Sequence, residues 1–164
     1  MDLSNKNILI VFFSHSGNTQ EIATQIYDET GGDVLELYPV NPYPRQYNEV
    51  VELAKQETQS NFLPELEPYS NDVESYDVIF IGSPVWWYTV APPVKTFLSE
   101  NNIEGKIIIP FCTHEGSGQA MSFDHINALV PDSIVIDGFE CFGSSVKNAQ
   151  LKVSDWINKL EITD

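Results

Sequence analysis

Residues 8–19 read ILIVFFSHSGNT. The unbroken apolar run from Ile8 to Phe13 is typical of a strand that is buried on both faces, as strands of parallel sheets are. Residues 14–19 then supply hydroxyl, imidazole, glycine and amide groups without a lysine or an arginine. From 20 to 30, apolar residues recur at helical spacing. The stretch therefore predicts a buried strand, a tight turn and a helix.

The turn at 14–19 has the composition of a phosphate cradle. Successive backbone N–H groups of such a turn can converge on one concavity, and the following helix adds about half a positive charge at its N-terminus. A phosphate can be bound there without side-chain cations. The alternative interpretation is an ordinary strand-to-helix turn in which serine, asparagine and threonine act as helix caps.

The rest of the chain continues this alternation. Further strands are predicted at 34–37, 76–82, 106–112 and 133–136. Four further helices are predicted: one at 46–58, one that begins at 91, one that ends at about 129, and one over 146–160. Gly31-Gly32 is predicted to end the first helix, and 39–71 reads as one helix between proline-bounded loops. Five strands alternating with five helices predict one α/β domain over 1–164, with a parallel sheet and helices on both faces.

Composition limits the partners. The chain has 24 acidic and 8 basic residues, a net charge of -16, which repels nucleic acid and anionic membranes and attracts a basic protein. A merely solvated acidic surface is the alternative. No apolar run approaches the roughly 20 residues of a membrane span, and the first run lacks a signal-peptide cleavage site. Cys112 and Cys141 fit no metal spacing. We therefore expect a cytoplasmic protein without membrane insertion.

Two further loops follow strands at the edge where ligands bind in open α/β sheets. Ser83–Val90 holds Trp86 and Trp87, and Thr113–Gly118 is rich in glycine and hydroxyl groups. Each tryptophan can bury about 150–250 Å², worth about 4–6 kcal/mol, either in the protein's own core or against a planar ligand. Glycines in the third loop allow close backbone approach. A ligand with a phosphate and a flat ring would use all three loops.

Together these motifs resemble the flavodoxins and flavodoxin-like FMN-binding proteins. The segments are SHSGNT (14–19), SPVWWYTVAPPVKTFL (83–98) and PFCTHEGSG (110–118), and the match follows the chain from Ile8 to Leu160. The resemblance implies a three-layer sandwich with a five-stranded parallel sheet in the order 2-1-3-4-5, for which flavodoxin itself is the standard example. It also implies FMN as the cofactor.

The resemblance assigns the FMN phosphate to the first turn, the ribityl chain and one side of the isoalloxazine to the second loop, and the far edge of the ring to the third. The implied binding residues are Ser14, His15, Ser16, Gly17, Asn18 and Thr19; Pro84, Val85, Trp86 and Trp87; and Thr113, His114, Glu115, Gly116, Ser117 and Gly118. It implies no catalytic residue and no metal ligand.

Two functions stay open. The first is a low-potential electron carrier that serves a basic-faced reductase or acceptor, since negative surroundings disfavour the anionic reduced flavin and lower its potential. The second is a flavodoxin-like NAD(P)H-dependent quinone oxidoreductase. Many flavodoxins have a glycine in the second loop whose peptide flips towards the reduced flavin, and 83–90 contains none. A flip that places a bulky residue at positive φ costs about 1–3 kcal/mol, which favours two-electron chemistry.

Other classes fit less well. A phosphoacceptor signalling domain shares the sheet order but needs acidic residues after the first strand and an aspartate after the third, where this chain has Phe13-Ser14 and Gly82-Ser83. Cys112 ends a strand, as a nucleophile would, but no cysteine-arginine phosphatase loop accompanies it. We therefore expect Cys112 to be a small buried apolar group.

Overall fold

The computed structural model describes residues 3–161, in which strands and helices alternate. In chain order the elements are β1 (Ile8–Phe12), α1 (Asn18–Thr30), β2 (Asp33–Glu36), α2 (Tyr47–Ser60), β3 (Val78–Trp86), β4 (Thr89–Val90), α3 (Pro92–Glu100), β5 (Ile107–His114), α4 (Ser122–Leu129), β6 (Ile134–Val135), β7 (Phe139–Phe142) and α5 (Gln150–Lys159). Short 3₁₀ helices occupy Val73–Ser75 and Gly143–Asn148.

The sheet has the order β2-β1-β3-β5-β6, and these five strands pair in parallel. If the short β4 is left out of the numbering, this is the expected order 2-1-3-4-5. The flavodoxin-like fold class is confirmed. The expected count of five strands was wrong. The strand expected next to β5 is divided into two, so that β6 pairs with the start of β5 and β7 with its end. The short β4 is the second addition and pairs antiparallel with β3.

Helices cover both faces of the sheet, which gives three layers. On one face, α1 and α5 pack against Ile10, Phe80 and Ile109. On the other, α3 and α4 cover neighbours that point the opposite way, such as Leu9 and Ile79. Because successive strand residues face opposite sides, burial on both faces explains why β1 and the first part of β3 are continuously apolar.

Element ends differ modestly from the expected ones. The first helix ends at Gly31 as expected, with φ 65° and the Gly31 N–H donating to the Tyr27 carbonyl. The last helix was expected over 146–160, but its first part is the 3₁₀ turn, and α5 begins only at Gln150. The fifth strand was expected at 133–136 and is limited to two residues.

The proline-rich stretch 39–71 is more ordered than its sequence indicates. It contains α2, as expected, and its two arms meet in an antiparallel bridge between Pro39 and Leu66. The Val40 N–H donates to the Glu65 carbonyl at 2.8 Å. The Tyr43 hydroxyl donates to the Glu57 carboxylate at 2.5 Å, which ties the entering arm to α2. These contacts hold α2 beside the carboxyl ends of the strands.

Candidate cofactor-binding cleft

The turn after β1 is organised by the Ser14 hydroxyl. Its oxygen accepts the N–H groups of Gly17 at 3.2 Å and of Gln20 at 3.3 Å. Gly17 has φ 95°, a left-handed conformation that glycine adopts without steric cost. Ser14 thus acts as a cap that shapes the turn, and its side chain points into the turn itself.

Four amides of this turn have no acceptor. Among residues 3–161, the backbone N–H groups of His15, Ser16, Asn18 and Thr19 donate to no protein atom. Two of them belong to the first turn of α1, where N–H groups have no intrahelical partner. Unpaired amides at a helix N-terminus are donors suited to an anion. The turn therefore has the chemistry expected of a phosphate cradle.

The cradle is tied to the third loop through two buried threonines. The hydroxyls of Thr19 and Thr113 share a hydrogen bond of 2.9 Å, and both residues are almost inaccessible to solvent. The Thr19 side chain is therefore engaged within the protein, and only its backbone N–H is free for a ligand. This contact links the ends of β1 and β5 across β3.

A double-mutant cycle measures this link. Thr113→Val leaves the Thr19 hydroxyl buried without a partner, which we expect to cost about 1–3 kcal/mol in the free energy of unfolding. Thr19→Val leaves the Thr113 hydroxyl without this partner and should lower the free energy of unfolding by a similar amount. The double variant should lose about 1 kcal/mol less than the sum of the single losses, as measured by urea unfolding. Strictly additive losses would show that the hydroxyls do not interact.

The second loop is a β-hairpin rather than an irregular loop. Strand β3 continues to Trp86, Trp86 pairs with Thr89 on β4, and Trp87 and Tyr88 form the two-residue turn. Both turn residues have positive φ, 49° and 67°, a pattern that normally selects Asn-Gly. Such conformations cost about 1–3 kcal/mol each for bulky residues. From the sequence, bulky residues of this loop were expected to incur the cost of positive φ only when a peptide flips towards reduced flavin. Trp87 and Tyr88 already have positive φ in this structure.

Contacts outside the hairpin hold this turn. The Trp87 Nε1–H donates to the Val51 carbonyl of α2 at 2.9 Å, and the Met121 N–H donates to the Tyr88 carbonyl at the same distance. The Lys55 ammonium lies 5.4 Å from the Trp87 ring centroid, within cation–π range. The turn is therefore fixed from both sides.

Trp86 is the tryptophan that packs into the protein. Its ring makes edge-to-face contacts with Phe13, Tyr43 and His15, with centroid separations of 5.3, 4.9 and 5.8 Å. Edge-to-face pairs of this kind fix ring orientation. Trp86 therefore forms a rigid aromatic wall between the cradle and the hairpin.

The third loop is anchored by β7, the strand that the sequence did not indicate. The Glu140 carboxylate accepts the Gln119 N–H at 2.6 Å and lies 3.9 Å from His114 Nε2. The Gly116 N–H donates to His114 Nδ1 at 3.0 Å. The His114 ring packs edge-on against Phe142. These contacts hold His114 at the end of β5 as part of the loop framework.

The three loops and α2 enclose one cleft of about 810 Å³. Eleven of the expected residues line it: His15, Ser16, Asn18, Pro84, Val85, Trp86, Trp87, Thr113, His114, Glu115 and Ser117. The other five, Ser14, Gly17, Thr19, Gly116 and Gly118, lie outside the lining and shape the turns. The lining also includes Arg45, Tyr47, Val50, Val51, Ala54 and Tyr88, which sequence reasoning missed. The one signal in the sequence was the helical spacing of 47, 50, 51 and 54, which places these four residues on one face of α2.

The cleft is less acidic than the chain as a whole. Among residues 3–161, its lining contains one carboxylate, that of Glu115, and one lysine or arginine, Arg45. The 14–19 turn contains no cation, as the sequence indicates, but the loop before α2 brings Arg45 into the same cleft. An anionic ligand would therefore meet less repulsion in the cleft than the net charge of -16 alone implies.

The two cysteines are buried, as expected for Cys112. Burial, followed by the charges of Glu140 and Cys141, raises the pKa of the Cys112 thiol to about 12. A thiol with this pKa stays protonated at neutral pH and is a poor nucleophile, which argues against a cysteine hydrolase. Within residues 3–161 no cluster of side chains could hold a metal ion, and no helix is long and apolar enough to span a membrane.

The sheet is parallel with helices on both faces, and the cleft at its strand ends combines an amide cradle with aromatic walls. This arrangement is that of a flavodoxin-like protein. The family profile described as Flavodoxin matches residues 7–160. The chain belongs to the flavodoxin family, which confirms the resemblance seen in the sequence. No curated protein sequence matches the chain at a significant level.

Solved structures agree on the fold. A candidate flavoprotein from Bacteroides eggerthii superposes with a TM-score of 0.81 at 24% identity, over 97% of this chain and 100% of its own. A flavoprotein from Lactobacillus acidophilus, solved in complex with FMN, reaches 0.74 at 28% identity, over 87% of this chain and 97% of its own. A flavodoxin from the domain Archaea reaches 0.52 at 17% identity, over 93% and 99%.

Proposed function

We propose that this protein binds FMN in the cleft and acts as an electron carrier. The observation that carries the proposal is the set of four unpaired amides at one end of a cleft whose other walls are aromatic. The cleft volume of about 810 Å³ is within the range of about 300–1,000 Å³ for small-molecule sites. Family membership and the FMN complex of the Lactobacillus relative support the same cofactor.

The residues of the chain have distinct tasks in this proposal. The four unpaired amides of the 14–19 turn bind the phosphate, while Trp86 and Pro84 present a fixed apolar wall to the ring. The third loop, held by Glu140, closes the opposite edge and limits access of water. Bound FMN would supply the redox chemistry, because its ring system accepts and releases electrons.

The carrier proposal includes a protein partner. With 24 acidic and 8 basic residues, the surface would steer a reductase or acceptor with a basic face, and this attraction would weaken with salt. Two buried cysteines without a disulfide suit a reducing compartment such as the cytoplasm.

One observation favours a second candidate, an NAD(P)H-dependent quinone oxidoreductase. The cleft extends beyond the three loops to the α2 wall formed by Tyr47, Val50, Val51 and Ala54. An apolar wall of this kind can contact a second flat molecule beside the flavin.

Titration of the purified protein with FMN tests the primary proposal. We expect quenching of FMN fluorescence with a one-to-one end point, since the ring would lie against Trp86. Absence of quenching at micromolar excess of protein would contradict FMN binding. The FMN-loaded protein is then mixed with NADH or NADPH and benzoquinone without an added reductase. Appreciable turnover would favour the oxidoreductase function and contradict the carrier function. Absence of turnover would support the carrier function.

A further inference from the structure

We propose that Arg45 contacts the phosphate of bound FMN and makes the site selective for FMN over riboflavin. The inference rests on the proposed function and adds a residue from outside the 14–19 turn. Arg45 lies in the loop that precedes α2, and it lines the cleft together with His15, Ser16 and Asn18 of the cradle.

A hydrogen bond places this loop against the cradle. His15 Nε2–H donates to the carbonyl of Pro44, the residue before Arg45, at 2.9 Å. The His15 ring also packs edge-on against Trp86, which fixes its position from the other side. Arg45 is thus one residue away from a direct contact with the cradle.

The charge of Arg45 is available to a ligand. Within residues 3–161 its guanidinium makes no hydrogen bond and no ion pair, although acidic residues outnumber basic ones threefold in the sequence, 24 to 8. It is the one lysine or arginine in the cleft lining. A guanidinium matches the geometry of phosphate and can bind it through two hydrogen bonds.

Lys55 is a cation on α2 outside the cleft lining and serves as a control for net charge. It lies on α2, 5.4 Å from the Trp87 ring centroid, and is absent from the cleft lining. If the effect of Arg45 were only a general change in net charge, the same neutralisation at Lys55 would reproduce it. A specific phosphate contact would be lost only at position 45.

The test compares the dissociation constants of FMN and riboflavin, which differ by the phosphate, in four proteins: wild type, Arg45→Gln, Arg45→Lys and Lys55→Gln. Arg45 is exposed, so solvent weakens its hydrogen bonds to a phosphate, and we expect Arg45→Gln to weaken FMN binding about tenfold. Riboflavin binding should stay unchanged. Arg45→Lys should recover part of the loss. Lys55→Gln can act only through the Trp87 turn, which would affect both flavins alike, so it should leave the ratio of the two dissociation constants as in wild type. FMN affinity of wild type should also fall more steeply with salt than that of Arg45→Gln.

Equal weakening of FMN and riboflavin by Arg45→Gln would overturn the inference, as would unchanged affinity for both. An unchanged FMN affinity with a raised KM for an anionic electron acceptor or NADPH would assign Arg45 to the substrate instead, and would also overturn it. Failure of the wild-type protein to bind either flavin would overturn the proposed function itself, so the two failures are distinguishable.

Discussion

Gly82→Ala is expected to lower the free energy of unfolding by about 3 kcal/mol, the upper end of the usual cost of overpacking. Gly82 lies on β3 between Phe12 of β1 and Phe111 of β5. A Cβ at this position would come within 2.2 Å of the Phe111 ring, which is fully buried. Since both neighbouring strands are paired with β3, the backbone has little freedom to yield, and the ring itself must move.

Urea unfolding followed by tryptophan fluorescence measures this effect, which should shift the midpoint with little change in slope. Adding Phe111→Leu should recover part of the lost stability, because it removes the ring that meets the new methyl group. Gly17→Ala is a useful contrast: its Cβ would meet nothing within 4 Å, and only φ 95° opposes it. A Gly82→Ala protein as stable as wild type would show that the Phe111 ring can relocate freely.

Ser16→Glu is expected to weaken FMN binding at least about 100-fold while leaving riboflavin binding much less affected. Ser16 is exposed, lines the cleft, and has a free N–H in the cradle. Two unit charges 4 Å apart interact by about 4 kcal/mol at the effective dielectric constant of a protein surface. Even a strongly screened carboxylate beside a phosphate dianion therefore exceeds the 2.7 kcal/mol or so that corresponds to 100-fold.

Matched variants separate charge from shape. Ser16→Ala should change FMN affinity only slightly, since the cradle uses backbone amides. Ser117→Glu introduces the same carboxylate on the opposite loop of the cleft, where we expect a smaller preference for riboflavin. If Ser16→Glu weakened both flavins equally, the phosphate would have to lie elsewhere.

The framework of this molecule was predictable because its signals are local. The apolar run of β1, the glycine at 17 and the helical spacing in α1 lie within about twenty residues of one another, and each indicates the same strand–turn–helix unit. Repetition of that alternation leaves few sheet orders that obey right-handed crossovers. Most of the cleft follows, because the three loops after β1, β3 and β5 meet at one edge of the sheet.

The parts that sequence reasoning missed depend on distant contacts. A turn formed by Trp87 and Tyr88 contradicts the usual residue preferences, and it is held by the carbonyl of Val51 and the amide of Met121. Arg45 has no motif around it, and its loop is brought to the cleft by the bond from His15 to Pro44 and by the packing of Tyr43 against Trp86. Tertiary contacts override local preference in both cases.

The interruption between β6 and β7 bears on self-association. A sheet edge with unpaired backbone groups is a template for strands of other molecules. Within residues 3–161, the strands at the edges of the sheet are short: β2 and β7 have four residues each, and β6 and β4 have two. Charged residues, Asp33 and Glu36, begin and end β2. The long apolar strands β1 and β3 lie inside with a partner on each side, so the segments with the greatest tendency to form intermolecular sheets are the least accessible to another chain.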